Sequence, residues 1–253
     1  MDAVATIMPG ALAHANMRAL VEDCCGWNKK TWADAMEFAI SALPDDLRNK
    51  KVLEIGASDK STVAPIFAVM GASVFCSYYQ KPPGFVENAH LKFILAKYGL
   101  REIPTLEIDI TEIVGRYDVI VMKSVLGGIF RNGDYNGIHE TIQKLLRDNI
   151  SPGGFILSLD NGYISPFQRL RRYRGTGGNS WSYLARSQLG KALAGFDVTT
   201  KGFGYLNVAS ASLQFGYDCE FLNTATYHLD KIITSLFMPS EHAVLATVIR
   251  AVD

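Results

Sequence analysis

The chain has 253 residues, of which 48% are hydrophobic and 20% charged, and its 25 basic and 25 acidic side chains cancel. That length supplies one large α/β domain or two small ones, and a net charge of zero argues against a broad nucleic-acid surface. No apolar run reaches the length of a membrane span, and the N-terminus lacks a basic segment followed by an apolar one, so neither a spanning helix nor a secretory signal is expected. The four cysteines, Cys24, Cys25, Cys76 and Cys219, form no CxxC pair and read as reduced thiols of a cytoplasmic protein, not as a disulfide framework or a zinc site.

In chain order, residues 11–24 and 31–42 carry apolar side chains at helical spacing, the second stripe running through Trp32, Ala35, Met36, Ala39, Ile40 and Leu43. A packing role against the rest of the chain is the expectation for this pair. Lys51–Tyr79 then reads as strand, tight turn, helix, glycine turn and second strand. Val52, Leu53 and Ile55 form a short apolar run, as expected of a strand covered on both faces. Gly56 closes it where backbone approaches a ligand in nucleotide-binding α/β proteins. Thr62 is the expected helix cap, with Pro65 in the first turn and free amides facing the turn.

Lys81–Gly84 is a loop, followed by a helix over about 85–98. Leu106–Ile110 is the third strand and Tyr117–Met122 the fourth. Ile138–Asn149 is an amphipathic helix, Ser151–Gly154 a turn, and Phe155–Leu159 the fifth strand. Strands alternating with helices predict a mostly parallel, doubly wound sheet. Beyond 160 come an arginine run with a glycine-rich stretch, a helix over Ser187–Ala194 capped by Ser187, strands at Phe196–Phe203 and Ala243–Ile249, and an inserted helix between them at Asn223–Phe237. No linker marks a second domain, so 1–253 is read as one unit: N-terminal helices (1–45), a first half (50–160) and a second half (161–253) with the insertion near 223–237.

Four separated motifs, VLEIGAS, Ile108-Asp109, YDVIVMKSVLGGI and SPGGFILSLDN, occur in an order and spacing similar to those of class I S-adenosylmethionine-dependent methyltransferases, and RSQLGKALAGFDV resembles their last helix and hairpin. The resemblance covers about 50–205 and the closing strand near 243–250. It implies a Rossmann-like α/β sheet of seven strands, mostly parallel with an antiparallel last strand, and S-adenosyl-L-methionine as cofactor. The segment MKSVLGGI, with the arginine run and NSWSYL, also resembles a subgroup tied to bacterial surface-polysaccharide and small-molecule pathways.

The resemblance gives roles to particular positions. Gly56, Ala57 and Ser58 form the turn near the methionine part of the cofactor, and Glu54 lies near its ammonium or, alternatively, caps a helix or turn. The usual ribose carboxylate is missing from Ser77-Tyr78-Tyr79-Gln80, which leaves Tyr78, Tyr79 and Gln80 as neutral partners or as sheet-end packing. Asp109 and Ile110 occupy the adenine position. Lys123 and Ser124 follow the fourth strand, with Lys123 contacting the cofactor, anchoring an acidic substrate, or snorkelling at the sheet rim.

Methyl transfer is an in-line displacement that needs an aligned nucleophile and sometimes a base. His139 is the best-placed histidine for that role, with Lys123 and Asn161 as further polar groups. Arg171, Arg172 and Arg174, with Trp181, are either a solvated face or a clamp for an anionic acceptor. The acceptor is expected to be a small molecule or saccharide methylated on oxygen; a homo-oligomer is compatible with the sequence. Two rival readings stay open: a methyltransferase fold that has lost transfer activity and binds a partner, and one that runs a non-methylation reaction.

Overall fold

In the computed structural model, residues 14–26, 28–58, 60–78, 89–162, 182–205, 220–237 and 241–252 are described. The elements are α1 (His14–Cys25), α2 (Lys29–Ile40), β1 (Lys51–Ile55), α3 (Ala64–Val69), β2 (Ser73–Tyr78), α4 (Ala89–Tyr98), β3 (Thr105–Glu107), β4 (Tyr117–Lys123), α5 (Leu126–Ile129), α6 (Tyr135–Lys144), β5 (Ile150–Asn161), α7 (Arg186–Ala192), β6 (Asp197–Phe203), α8 (Glu220–Phe237) and β7 (Val244–Arg250). A 3-10 turn (Arg131–Gly133) precedes α6, and one π-helical turn (Leu145–Asn149) follows it.

The strands form one sheet in the order β3-β2-β1-β4-β5-β7-β6. The pairs β1–β2, β1–β4, β2–β3 and β4–β5 are parallel; β7 runs antiparallel to both β5 and β6. Strand order reverses between β1 and β4, so the crevice beyond their carboxyl ends is where such a sheet takes its ligand.

Alternation along the strands divides the core. Val52, Val119, Val121, Leu157 and Leu159 pack under α1–α4, whereas Leu53, Ile55, Ile120, Met122 and Ile156 pack with α5–α7 on the opposite face. The N-terminal pair belongs to the first layer: Trp32, Ala35, Met36 and Ala39 are fully buried, and Phe38 packs against Phe203. Arg18 on α1 bonds Glu22, Asp34 and Glu37, and Tyr227 and Lys231 on α8 also reach Asp34, which ties α8 to the pair.

Several boundaries differ from the sequence expectation. The turn expected at Ser151–Gly154 lies within β5, at a bulge where the β4–β5 register shifts between Tyr117 and Val119; such an irregularity accommodates Pro152, which has no amide to give the ladder. Strand β3 stops at Glu107, because Asp109 accepts bonds from the amide and hydroxyl of Thr111 and turns the chain. Helix α6 starts a turn earlier than its apolar stripe, capped by Asp134 on the amide of Gly137. Helix α7 begins at Arg186 rather than Ser187, and the carboxylate of Glu241 accepts its first amide in place of a serine cap. Cys24, Cys25 and Cys76 are buried free thiols; Cys219 lies outside the described residues.

Candidate functional site at the carboxyl ends of β1 and β4

The crevice walls are the turn after β1 and the crossing from β4 into α5. Gly56 has φ +79, and a Cβ there would stand 2.7 Å from Cγ2 of Val125, so both conformation and space require glycine. On the other wall Ser124 holds φ +58, a left-handed conformation costly for a non-glycine residue. The amide of Ser124 bonds Leu159 O at 2.7 Å, and the Asn161 side-chain amide donates to Ser124 Oγ at 3.3 Å. Thus β4 and β5 bring Ser124 and Asn161 together beside the crevice.

Glu54, next to last in β1, is buried. Its carboxylate accepts from the amides of Val63 (2.9 Å) and Ala64 (2.8 Å) and from the Thr62 hydroxyl (2.6 Å). Burial pushes its carboxyl up, opposed by these bonds. Thr62 therefore does not cap α3, and the amides expected to face the turn are spent on Glu54; the capping alternative is the geometry present. The turn is also closed on itself: Ala57 N bonds Ser77 O at 2.8 Å, and Ser58 pairs with Ser61 as an isolated bridge. The α1–α2 corner seats on it, with Cys24 O accepting from the Thr62 amide and the Ser61 hydroxyl, both at 3.2 Å, and Gly26 packed against the Lys60 carbonyl.

Lys123 does not snorkel at the sheet rim. It is 5% exposed, and its ammonium stands 4.2 Å from the ring centroid of Trp32, itself buried on α2. Burial lowers the Lys123 amine to about 8, against the opposing pull of Glu54 and Asp160. Asp160, one strand over on β5, is also buried; it accepts from the Ser158 hydroxyl at 2.6 Å and from the Gly127 amide at 3.3 Å, holding the start of α5. Burial pushes its carboxyl up as well. Sequence reasoning named neither Trp32 nor Asp160 as a site residue, and it assigned no element to Leu126–Ile129. The available signal was an acid at the end of an apolar strand two residues after a serine.

Toward β2 and β3, Tyr78 is buried at its strand end, and the next ladder bond runs from the Ile108 amide to Tyr78 O. Asp109 follows at once, its carboxyl held down by the Thr111 amide and hydroxyl. Ile110 is packed in the core with Leu53, Ile55 and Tyr117. Tyr79, Gln80, Arg171, Arg172, Arg174 and Trp181 lie outside the described residues. His139 is not brought to the crevice. Its Nδ1 lies 2.6 Å from Ala192 O at the far end of α7, and its ring stacks on Phe196 at 5.0 Å between centroids. Among the described residues no three His, Cys, Asp or Glu side chains are grouped to hold a metal, and no helix is long and apolar enough to cross a membrane.

No protein-family model and no curated protein matches the sequence. Solved structures do match the fold. Haemonchus contortus phosphoethanolamine N-methyltransferase 2, solved with phosphomonomethylethanolamine and S-adenosylhomocysteine, is 11% identical over 88% of this chain and 53% of that one, with a TM-score of 0.53. The chain thus spans about half the length of that enzyme. Magnesium protoporphyrin IX methyltransferase from Synechocystis, solved with bound SAH, is 12% identical over 95% of this chain and 89% of that one, with a TM-score of 0.52. The chain has the class I methyltransferase fold, seven strands with β7 antiparallel.

Proposed function

We propose that this chain is an S-adenosyl-L-methionine-dependent methyltransferase acting on oxygen of a small molecule or saccharide. The observation that carries the reading is the crevice at the β1–β4 reversal, bounded by the Gly56 turn and the strained Ser124. Glu54, a buried carboxylate beside the turn after β1, suits a cationic cofactor. When bound, S-adenosylmethionine supplies a sulfonium methyl for in-line displacement. Asp109 and Ile110 line the adenine side; Tyr78, with Tyr79 and Gln80, holds the ribose through neutral hydrogen bonds. Gly56, Ala57 and Ser58 border the methionine part. Ser124 and Asn161 orient the acceptor, and positioning supplies most of the rate. The arginines 171, 172 and 174, with Trp181, favour an anionic acceptor. Buried free thiols support a cytoplasmic setting.

A second reading, a methyltransferase fold that binds without transferring, is favoured by one observation. The amides of Ala57, Ser58, Val63 and Ala64 are already bonded inside the protein, which leaves few donors for a ligand on the β1 side. Calorimetry with S-adenosylmethionine and S-adenosylhomocysteine separates the two. Binding of either supports the cofactor assignment, and transfer of a labelled methyl to an acceptor supports the enzyme. Absence of binding to both at millimolar concentration overturns the first reading.

A further inference from the structure

Helix α8, inserted between β6 and β7, is seated by its polar side. The Tyr227 hydroxyl donates to the Asp34 carboxylate at 2.8 Å, and Lys231 Nζ stands 3.2 Å from the same group. Asp230 is buried and accepts the Tyr205 amide at 2.8 Å. The opposite side is apolar and faces outward: Leu229 is 50% exposed, Ile232 56% and Leu236 70%, with Ala225 exposed in line with them. The stripe spans about 60° of the helix circumference, on the far side from Tyr227 and Asp230. A surface helix of a monomer carries the reverse arrangement, with its apolar side on the core and its polar side in water.

We propose that the stripe of Ala225, Leu229, Ile232 and Leu236 is a self-association surface on which a second copy of this chain docks, α8 against α8 in antiparallel register. Its residues follow one another at spacings of four, three and four, the repeat of a two-helix seam. A two-fold axis crossing the helix between the levels of Asp230 and Lys231 sets Leu229 opposite the partner's Ile232 and Ala225 opposite the partner's Leu236, so a small side chain meets a large one at each end. The seam brings no like charges together. From Thr224 to Leu236 the acidic and basic residues are Asp230, which is turned inward, and Lys231, which is held by Asp34. The same scarcity of basic side chains disfavours a lipid surface, whose interfacial helices are rich in Lys and Arg. Overall neutrality adds no long-range repulsion between copies. A seam one side chain wide and about 17 Å long covers well under the ~800 Å² per partner of a standard interface, so the pairing is weak and reversible, with a dissociation constant on the order of tens of micromolar. Nothing in this pairing depends on the cofactor assignment.

The test is sedimentation velocity of the full chain from about 5 μM to about 500 μM, a range that brackets the expected dissociation constant. The wild type is expected to pass from monomer to dimer across it. Ile232→Glu and Leu229→Lys, each placing a charge in the seam, are expected to weaken the dimer about tenfold or more. Both positions are exposed in the monomer, so the urea midpoint of each variant should stay at that of the dilute wild type. Mixing the two variants tests the register. In an antiparallel pair the new glutamate faces the new lysine across one layer while the other layer keeps Leu229 on Ile232, so the mixture should dimerise more strongly than either variant alone. If one variant does not fold, the loss of dimer in the other decides whether the stripe is the seam. A wild type that stays monomeric throughout, or a dimer that survives both substitutions, overturns the proposal. A mixture no stronger than its parts overturns the antiparallel register. Two results would give the stripe another occupant, and either overturns the second copy. One is a monomeric wild type that co-sediments with phosphatidylcholine–phosphatidylserine vesicles, which assigns a lipid surface. The other is a monomer whose urea midpoint falls with Ile232→Glu, which assigns cover from within its own chain.

Discussion

Gly56 and Val125 meet across the point where strand order reverses: a methyl on Gly56 would lie 2.7 Å from Val125 Cγ2. The close approach packs the turn after β1 against the crossing from β4 to α5. Gly56→Ala has two costs, a left-handed backbone for a residue with a Cβ and an overlap with a buried valine. Together they predict a loss of about 2–4 kcal/mol in urea unfolding. Adding Val125→Ala removes only the overlap. The double variant is therefore expected to recover part of the loss that the two single variants would sum to, and strict additivity would show that the contact is not strained.

Glu54 is a fastener for α3. Replacing it with glutamine keeps the shape but sets an NH2 group against donors, since Oε1 and Oε2 both accept, from Val63 on one side and from Thr62 and Ala64 on the other. Stability should fall by about 1–3 kcal/mol, the cost of leaving a buried donor unmatched. Amide exchange should report the loss first at Val63 and Ala64. Unchanged protection at these two amides would refute the fastener role.

The architecture was legible because it depends on patterns that survive without context. The apolar runs at Val52–Ile55 and Tyr117–Met122 are long enough to be buried strands, and glycine or proline marks most of the joints. What a side chain does at the strand ends was less legible. Glu54, Asp160 and Lys123 differ from surface charges only through neighbours brought in from distant segments: Thr62 and the α3 amides, the start of α5, and Trp32. Trp32 was seen as one member of a helical stripe, and nothing in the stripe says which member faces an ammonium. His139 shows the converse. Its position in the chain, just past a crossing loop, suggested chemistry, but α7 supplies a carbonyl and Phe196 a ring that account for it.

Lys123 makes a prediction about folding that needs no ligand. Its folded value of about 8 lies below the ordinary 10.5. Between those values the unfolded chain binds more protons than the folded one, so this group makes stability rise with pH. The burial cost is carried in full below pH 8 and relieved by 10.5, up to about 3 kcal/mol. Lys123→Met should therefore be more stable than the wild type at pH 7, by about 1–3 kcal/mol, and the difference should shrink as pH is raised. Burial is the largest influence on this amine and outweighs both carboxylates, which gives the sign. Equal stability of the two proteins from pH 7 to pH 10 would show that the ammonium is not effectively buried.

His139→Phe separates a structural histidine from a base. The phenyl ring can keep the contact with Phe196, now 5.0 Å between centroids, while the 2.6 Å interaction of Nδ1 with Ala192 O is lost. That carbonyl lies in the last turn of α7, where water can replace the imidazole, so the cost should be about 1 kcal/mol. Cofactor affinity, and any methyl transfer measured with an acceptor, should stay within about twofold of wild type, because the ring faces the α6–α7 packing. A general base would behave differently: its removal lowers turnover by about a hundredfold or more and flattens the acid limb of the pH–rate profile. Turnover measured across pH 6–9 on a variant shown to be folded by its unfolding midpoint decides between the two. A hundredfold fall with the midpoint preserved would return His139 to the site.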